Sequence, residues 1–138
     1  MGLIRSGNTD LTPEDDDALT DYLWPIVREI IKTAIENRQN LIIEGCYIPF
    51  RWRQDFDERY LPSIRFICLA MTVSYIENHF DEIIGRESEI EARLTGSDCT
   101  IADFIEDNER CFNGFQKAGE RIVLIDFDYE QTIRNILE

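Results

Sequence analysis

Residues 64–71 read IRFICLAM, a run that is apolar on both alternating faces apart from Arg65. A strand with one polar face lies at the surface of an antiparallel sheet. A strand with none is covered on both sides, as a central parallel strand is. Two other stretches share this character, LIIEG at 41–45 and RIVLID at 121–126. We therefore expect three strands, Leu41–Gly45, Ile64–Met71 and Arg121–Asp126.

The sequence between these runs has helical spacing. Thr12-Pro13-Glu14-Asp15 is a helix start, with Thr12 as N-cap and Pro13 in the first turn. The acids Glu14 to Asp17 complement the helix dipole there. Apolar residues then recur at Leu19, Tyr22, Leu23, Ile26, Val27, Ile30, Ile31, Ala34 and Ile35, a stripe reaching about Arg38. Pro25 interrupts it, so either one helix kinks there or a second helix opens at the proline. Residues 46–62 carry Pro49 and Pro62 among Trp52, Phe56 and Tyr60, and read as a loop with at most a short helix.

Ser74-Tyr75-Ile76-Glu77 has the capping-box pattern and predicts a helix to about Ile84. Gly85 to Cys99 is charged and bounded by glycines. Thr100 to Asp103 opens another helix ending near Gly119, with Phe104, Ile105, Phe112 and Phe115 inward. Tyr129, Ile133, Ile136 and Leu137 stripe a closing helix. Apolar strands alternating with amphipathic helices predict an α/β domain, a three-layer α/β/α arrangement around a parallel sheet.

The totals agree with one globular domain over 1–138. A chain of 138 residues, 43% of them hydrophobic, can bury roughly two-thirds of its unfolded surface. No apolar run approaches the ~20 residues of a membrane span and the N-terminus lacks a secretory pattern, so the default expectation is a cytoplasmic protein. A net charge of −14 argues against nucleic acid and anionic membranes as partners. Cys46, Cys68, Cys99 and Cys111 form no CxxC pair and read as reduced thiols. His79, the only histidine, falls in an amphipathic stretch and reads as structural. Lys32 and Lys117 are the only lysines; the other basic residues are arginines. That bias suits phosphate recognition, and compositional drift accounts for it equally.

In open parallel sheets, ligands sit beyond the C-terminal strand ends, here Glu44-Gly45, Met71-Thr72 and Asp126-Phe127. With these positions in order, the chain resembles the P-loop small-molecule kinases of the nucleoside monophosphate kinase type, adenylate kinase-like. The resemblance is loose in sequence and runs along essentially the whole chain. MGLIR resembles the start of an acceptor-binding segment, 1–38, and implies that Arg5 binds an acceptor phosphate. LIIEG resembles the strand whose terminal acid organises the water shell of Mg2+, which gives that role to Glu44. That family has an arginine close behind the glycine; here it arrives later, at Arg51. Residues 85–99 resemble the mobile lid, with Arg86 and Arg93 as phosphate clamps, and Arg110 resembles an arginine directed at the transferring phosphate. Asp126 and Phe127 fall where relatives contact the nucleotide base.

Each feature also has a plain structural explanation. Glu44 can be a strand-end acid with a local hydrogen bond, and Arg86 and Arg93 can pair with Glu87, Glu89 and Glu91. One motif is absent outright. A P-loop needs G-x-x-x-x-G-K-[ST], and neither Lys32 nor Lys117 follows a glycine. The resemblance thus implies a kinase lacking its N-terminal P-loop unit, with Met1 an internal methionine. An intact parent would use Mg2+ and ATP on a small-molecule phosphate acceptor, while this chain would bind neither tightly and would be inactive. Open sheet edges would promote self-association. The alternative is a stand-alone non-catalytic domain that binds a nucleotide or a partner.

Overall fold

The computed structural model describes residue 11 and residues 16–86 and 99–137. The chain divides into two compact units, Met1–Arg65 and Phe66–Glu138, and the division falls inside the apolar run 64–71.

The first unit is built on one helix, α1 (Asp16–Glu36), which continues through Pro25 rather than restarting at it. Its buried residues are Leu19, Trp24 and Ala34, with Leu23, Val27, Ile31 and Ile35 half-buried beside them. Tyr22, Ile26 and Ile30 belong to the predicted stripe but stay exposed, so the apolar face is wider than its cover. The cover is an aromatic cluster from the 46–62 segment, which contains two short 3-10 turns, Trp52–Asp55 and Leu61–Ser63. Phe56 packs edge-to-face with Trp24, Trp52 and Tyr60 at centroid distances of 6.1, 5.9 and 6.4 Å, the arrangement that aromatic quadrupoles favour. Two hydrogen bonds hold the segment to the helix: the Trp24 indole N–H donates to Asp55 Oδ2 at 2.7 Å, and the Tyr60 hydroxyl donates to Glu36 Oε1 at 2.5 Å.

After α1 the chain turns through Arg38, whose φ of 54° lies in the left-handed region. The Gln39 N–H reaches the Ala34 carbonyl and the Arg38 N–H reaches that of Ile35, the paired bonds of a Schellman ending. Beyond it, the expected strand Leu41–Gly45 does not form. These residues are exposed and outside any ladder, with Ile42 92% accessible. β-Branched composition favours extended backbone, but a strand exists only where a neighbour pairs with it, and no described residue does so here.

The second unit holds the sheet. β1 (Cys68–Met71) and β2 (Ile122–Ile125) pair in parallel, Cys68 opposite Ile122 and Met71 opposite Ile125. Residues 64–67 of the predicted strand lie outside the ladder. Between the strands run α2 (Val73–Gly85) and α3 (Ile101–Lys117), and α4 (Tyr129–Leu137) follows β2. α3 packs on β1, and α4 contacts β2. Ala70, Ile76, Phe115 and Ile125 form the buried core with Cys68 and Tyr75. The described residues are therefore mixed helix and strand around a small two-stranded parallel sheet. The three-layer α/β/α sheet of a P-loop kinase is not what they form, because the third strand has no partner.

The caps show which local signals prevailed. Thr100 and Asp103 make the full capping box at the start of α3. These bonds from Thr100 hold the Asp103 carboxyl below the usual aspartate value. This contribution to stability is complete above the ordinary aspartate pKa and fades as pH falls through the lowered one. Gly119, at φ 75°, closes the helix in a second Schellman ending, with the Glu120 N–H on the Phe115 carbonyl. At α2 the predicted cap, Ser74, is wrong by two residues: Thr72 is the N-cap and accepts the Tyr75 N–H at 3.1 Å. The Thr12 cap and Pro13 lie outside the described residues.

Arg38 is the one non-glycine residue with positive φ among the described residues, a conformation in which a Cβ is strained. Arg38→Gly should stabilise the first unit by about 0.5–1 kcal/mol, within the range for relieving one left-handed residue. Urea unfolding followed by tryptophan fluorescence reads this unit alone, since both tryptophans, Trp24 and Trp52, lie in it. An unchanged or lower midpoint would contradict the assignment.

Candidate functional site

The end of a parallel ladder is where loops emerge together, and here Thr72 follows β1 and Asp126 follows β2. Thr72 links three elements. Its N–H donates to the Ile125 carbonyl at 3.0 Å, extending the ladder by one bond. Its hydroxyl donates to Asp126 Oδ1 at 2.9 Å and accepts the Tyr75 N–H, so one oxygen ties the end of β2 to the first turn of α2. Asn108 of α3 completes the frame. Its carboxamide accepts the Met71 N–H at 2.8 Å and donates to the Met71 carbonyl at 2.9 Å.

Phe127 follows Asp126 with its ring 87% exposed, and Asp128 caps α4 by accepting the Gln131 N–H at 2.9 Å. The two residues are bracketed between a strand end and a capped helix, so an exposed apolar ring and a carboxylate occupy consecutive positions at the surface. A planar ligand with a hydrogen-bond donor on its edge suits that pair by stacking and by accepting. From the sequence, Thr72 is expected at a strand end without its capping role, and Asn108 is not singled out. That role could have been found from a hydroxyl at a strand-to-helix junction. Asn108 offers no local signal, since its partner is 37 residues away.

The residues expected to handle phosphate and metal divide between the two units and the residues outside the description. Glu44 and Arg51 belong to the first unit, both exposed, Glu44 on irregular backbone and Arg51 before the first 3-10 turn. Arg86, Arg110, Asp126 and Phe127 belong to the second. Arg86 caps the far end of α2 and pairs with Glu82 at 2.8 Å. The length of α2 places it roughly 20 Å from the strand end at Thr72, at 1.5 Å per helical residue. Arg110 lies 4.0 Å from Asp107 on its own helix. Arg5 and Arg93, and residues 87–98 of the lid-like segment, lie outside the described residues. Among the described residues no group of three acidic, cysteine or histidine side chains is placed to hold a metal ion.

Two other features have structural explanations. His79 stacks on Tyr75 at 4.1 Å, and its Nδ1 lies 2.9 Å from the Tyr75 carbonyl, which can only accept, so that nitrogen carries the proton. In the first unit a groove of about 720 Å³ runs beside α1, lined by Ile26, Ile30, Ala34 and Leu41 with Glu29 at its side. Glu29 is engaged by Arg28 and Lys32 at 2.9 and 3.0 Å. No described helix is long and apolar enough to cross a membrane.

No family model matches the chain, and neither a curated protein nor a solved structure does.

None of the four cysteines, all among the described residues, is in a disulfide. Burial, with Cys111 nearby, pushes the Cys68 thiol up to about 11, whereas Cys46 is exposed. Thiolate supply governs alkylation, so iodoacetamide near pH 8 should label Cys46 well ahead of Cys68. Mass spectrometry of timed samples reads the order, and Cys68 should catch up only after denaturation. Early labelling of Cys68 in the folded chain would show that β1 is not buried as described.

Proposed function

We propose that the chain is a nucleotide-binding module that engages a base and does not itself transfer phosphate. The observation that carries this reading is the Asp126–Phe127 pair at the C-terminal end of the parallel strands, braced by the Thr72 hydroxyl. Stacking on Phe127 and hydrogen bonding to Asp126 would recognise a purine. Aromatic–base stacking is worth about 1–3 kcal/mol by alanine substitution, which makes the affinity weak but measurable. Asp126 sets what the base must offer: a carboxylate only accepts, so it takes a donor on the base edge, the exocyclic amine of adenine or the N1–H of hypoxanthine.

The broader reading keeps the resemblance to nucleoside monophosphate kinases. In it the module is the base-contacting part of an ATP-dependent small-molecule phosphotransferase, whose Glu44, Arg5, Arg51, Arg86, Arg93 and Arg110 would serve magnesium, acceptor and phosphoryl group. The order of these residues along the sequence supports it. The pairing of Arg86 with Glu82, and its distance from the strand ends, favour the non-catalytic reading for this chain.

Isothermal titration of the chain with adenosine, inosine and ATP tests the proposal. Adenosine and inosine should both bind, since each base offers a donor to Asp126 and a face to Phe127. ATP should gain nothing from its phosphates, because the net charge of −14 opposes them. Phe127→Ala should weaken adenosine binding about tenfold, within the stacking range. Equal binding of adenosine by wild type and Phe127→Ala would sink the proposal, and turnover of Mg-ATP by the chain would replace it with the catalytic reading.

A further inference from the structure

The parallel ladder determines which backbone groups of β1 face outward. The Cys68 N–H meets the Arg121 carbonyl at 2.9 Å and the Thr72 N–H meets the Ile125 carbonyl at 3.0 Å. Successive residues of a strand present their amides to opposite sides, so Cys68, Ala70 and Thr72 turn toward β2 while Leu69 and Met71 turn away. Those outward groups are what an added strand would use, and open edges of this kind template association. At Met71 both positions are taken. The Asn108 carboxamide accepts the N–H at 2.8 Å and donates to the carbonyl at 2.9 Å, the same two bonds that a neighbouring backbone would make. Among the described residues of β1 only Leu69 is left, its carbonyl already 3.9 Å from the Cys68 thiol, and bonds at one residue do not hold a strand.

We propose that Asn108 is an edge plug: its carboxamide stands in for a third strand at Met71 and keeps a second copy of this chain from extending the sheet through β1. The proposal does not depend on the nucleotide-binding reading. It also gives self-association a direction, since Ile122 and Leu124 turn their backbone groups to the outer side of β2, where no such side-chain clamp is present among the described residues.

Carboxamide chemistry supplies the discriminating variants. Asn108→Ala removes both bonds and leaves the outward edge of β1 apolar and open. Asn108→Asp still accepts the Met71 N–H, cannot donate to its carbonyl, and places a negative charge on the edge. Both should be less stable than wild type, but only one should associate. Sedimentation over a concentration series should shift Asn108→Ala toward dimers and larger species relative to wild type, with Asn108→Asp remaining like wild type. Adding Leu69→Glu to Asn108→Ala should reverse the shift, because it sets like charges against each other at the new contact. Wild-type sedimentation of Asn108→Ala, or equal association of both variants, overturns the proposal; the second result would mean that instability alone drives it. Hydrogen exchange on the wild type provides a test independent of variant folding. The Met71 amide should exchange as slowly as that of Ala70 and more slowly than that of Leu69, and exchange as fast as Leu69 would overturn the plug.

Discussion

The second unit depends on the short parallel ladder between Cys68–Met71 and Ile122–Ile125. Parallel strands cannot be joined by a tight turn, so the chain must travel through α2 and α3 before β2 can pair. That detour supplies the packing. α3 lies against β1, the Phe66 and Phe115 rings meet at 4.8 Å, and Ile76 and Ile125 are excluded from water almost entirely. A two-stranded sheet is marginal without such a cover, since its apolar face would otherwise stay in water. The ladder and its helices are therefore stable together or not at all.

The same ladder concentrates polar chemistry at one end. Thr72 serves as the last ladder residue, the cap of α2 and the donor to Asp126, and these roles reinforce each other because all three bonds require the same backbone placement. The exposed Phe127 ring inherits its position from this framework. Arg86 and Arg110 are held by neighbours on their own helices instead. Arg86 is on its own helix end with Glu82, and Arg110 has Asp107 close by. Among the described residues Arg28, Lys32, Arg59, Arg86, Arg110 and Arg134 each have a carboxylate within 4.0 Å.

The first unit achieves cohesion differently. It has no ladder among its described residues, and its cover is aromatic. Trp24, Trp52, Phe56 and Tyr60 interlock, and Asp55 and Glu36 accept their polar hydrogens from Trp24 and Tyr60. Arg53 stacks over Trp52 at 4.6 Å, shielding the outer ring with an alkyl stem and a planar cation. Much of the α1 stripe, Tyr22, Ile26 and Ile30, is left uncovered, as is Ile42.

What the sequence determined alone is whatever depends on near neighbours. The capping box Thr100–Asp103, the glycine ending of α3, the run of α1 along its stripe and the parallel character of the apolar strands were all legible, because each rests on contacts within a few residues or on a simple period. Tertiary structure decided the rest. Whether LIIEG is a strand depended on a partner and not on its own propensity. Thr72 displaced Ser74 as the cap because its hydroxyl also reaches Asp126, 54 residues away. Asn108 became part of the sheet through a residue 37 positions distant. Pairing across such separations is fixed by how the whole unit packs, and no local pattern of residues encodes it.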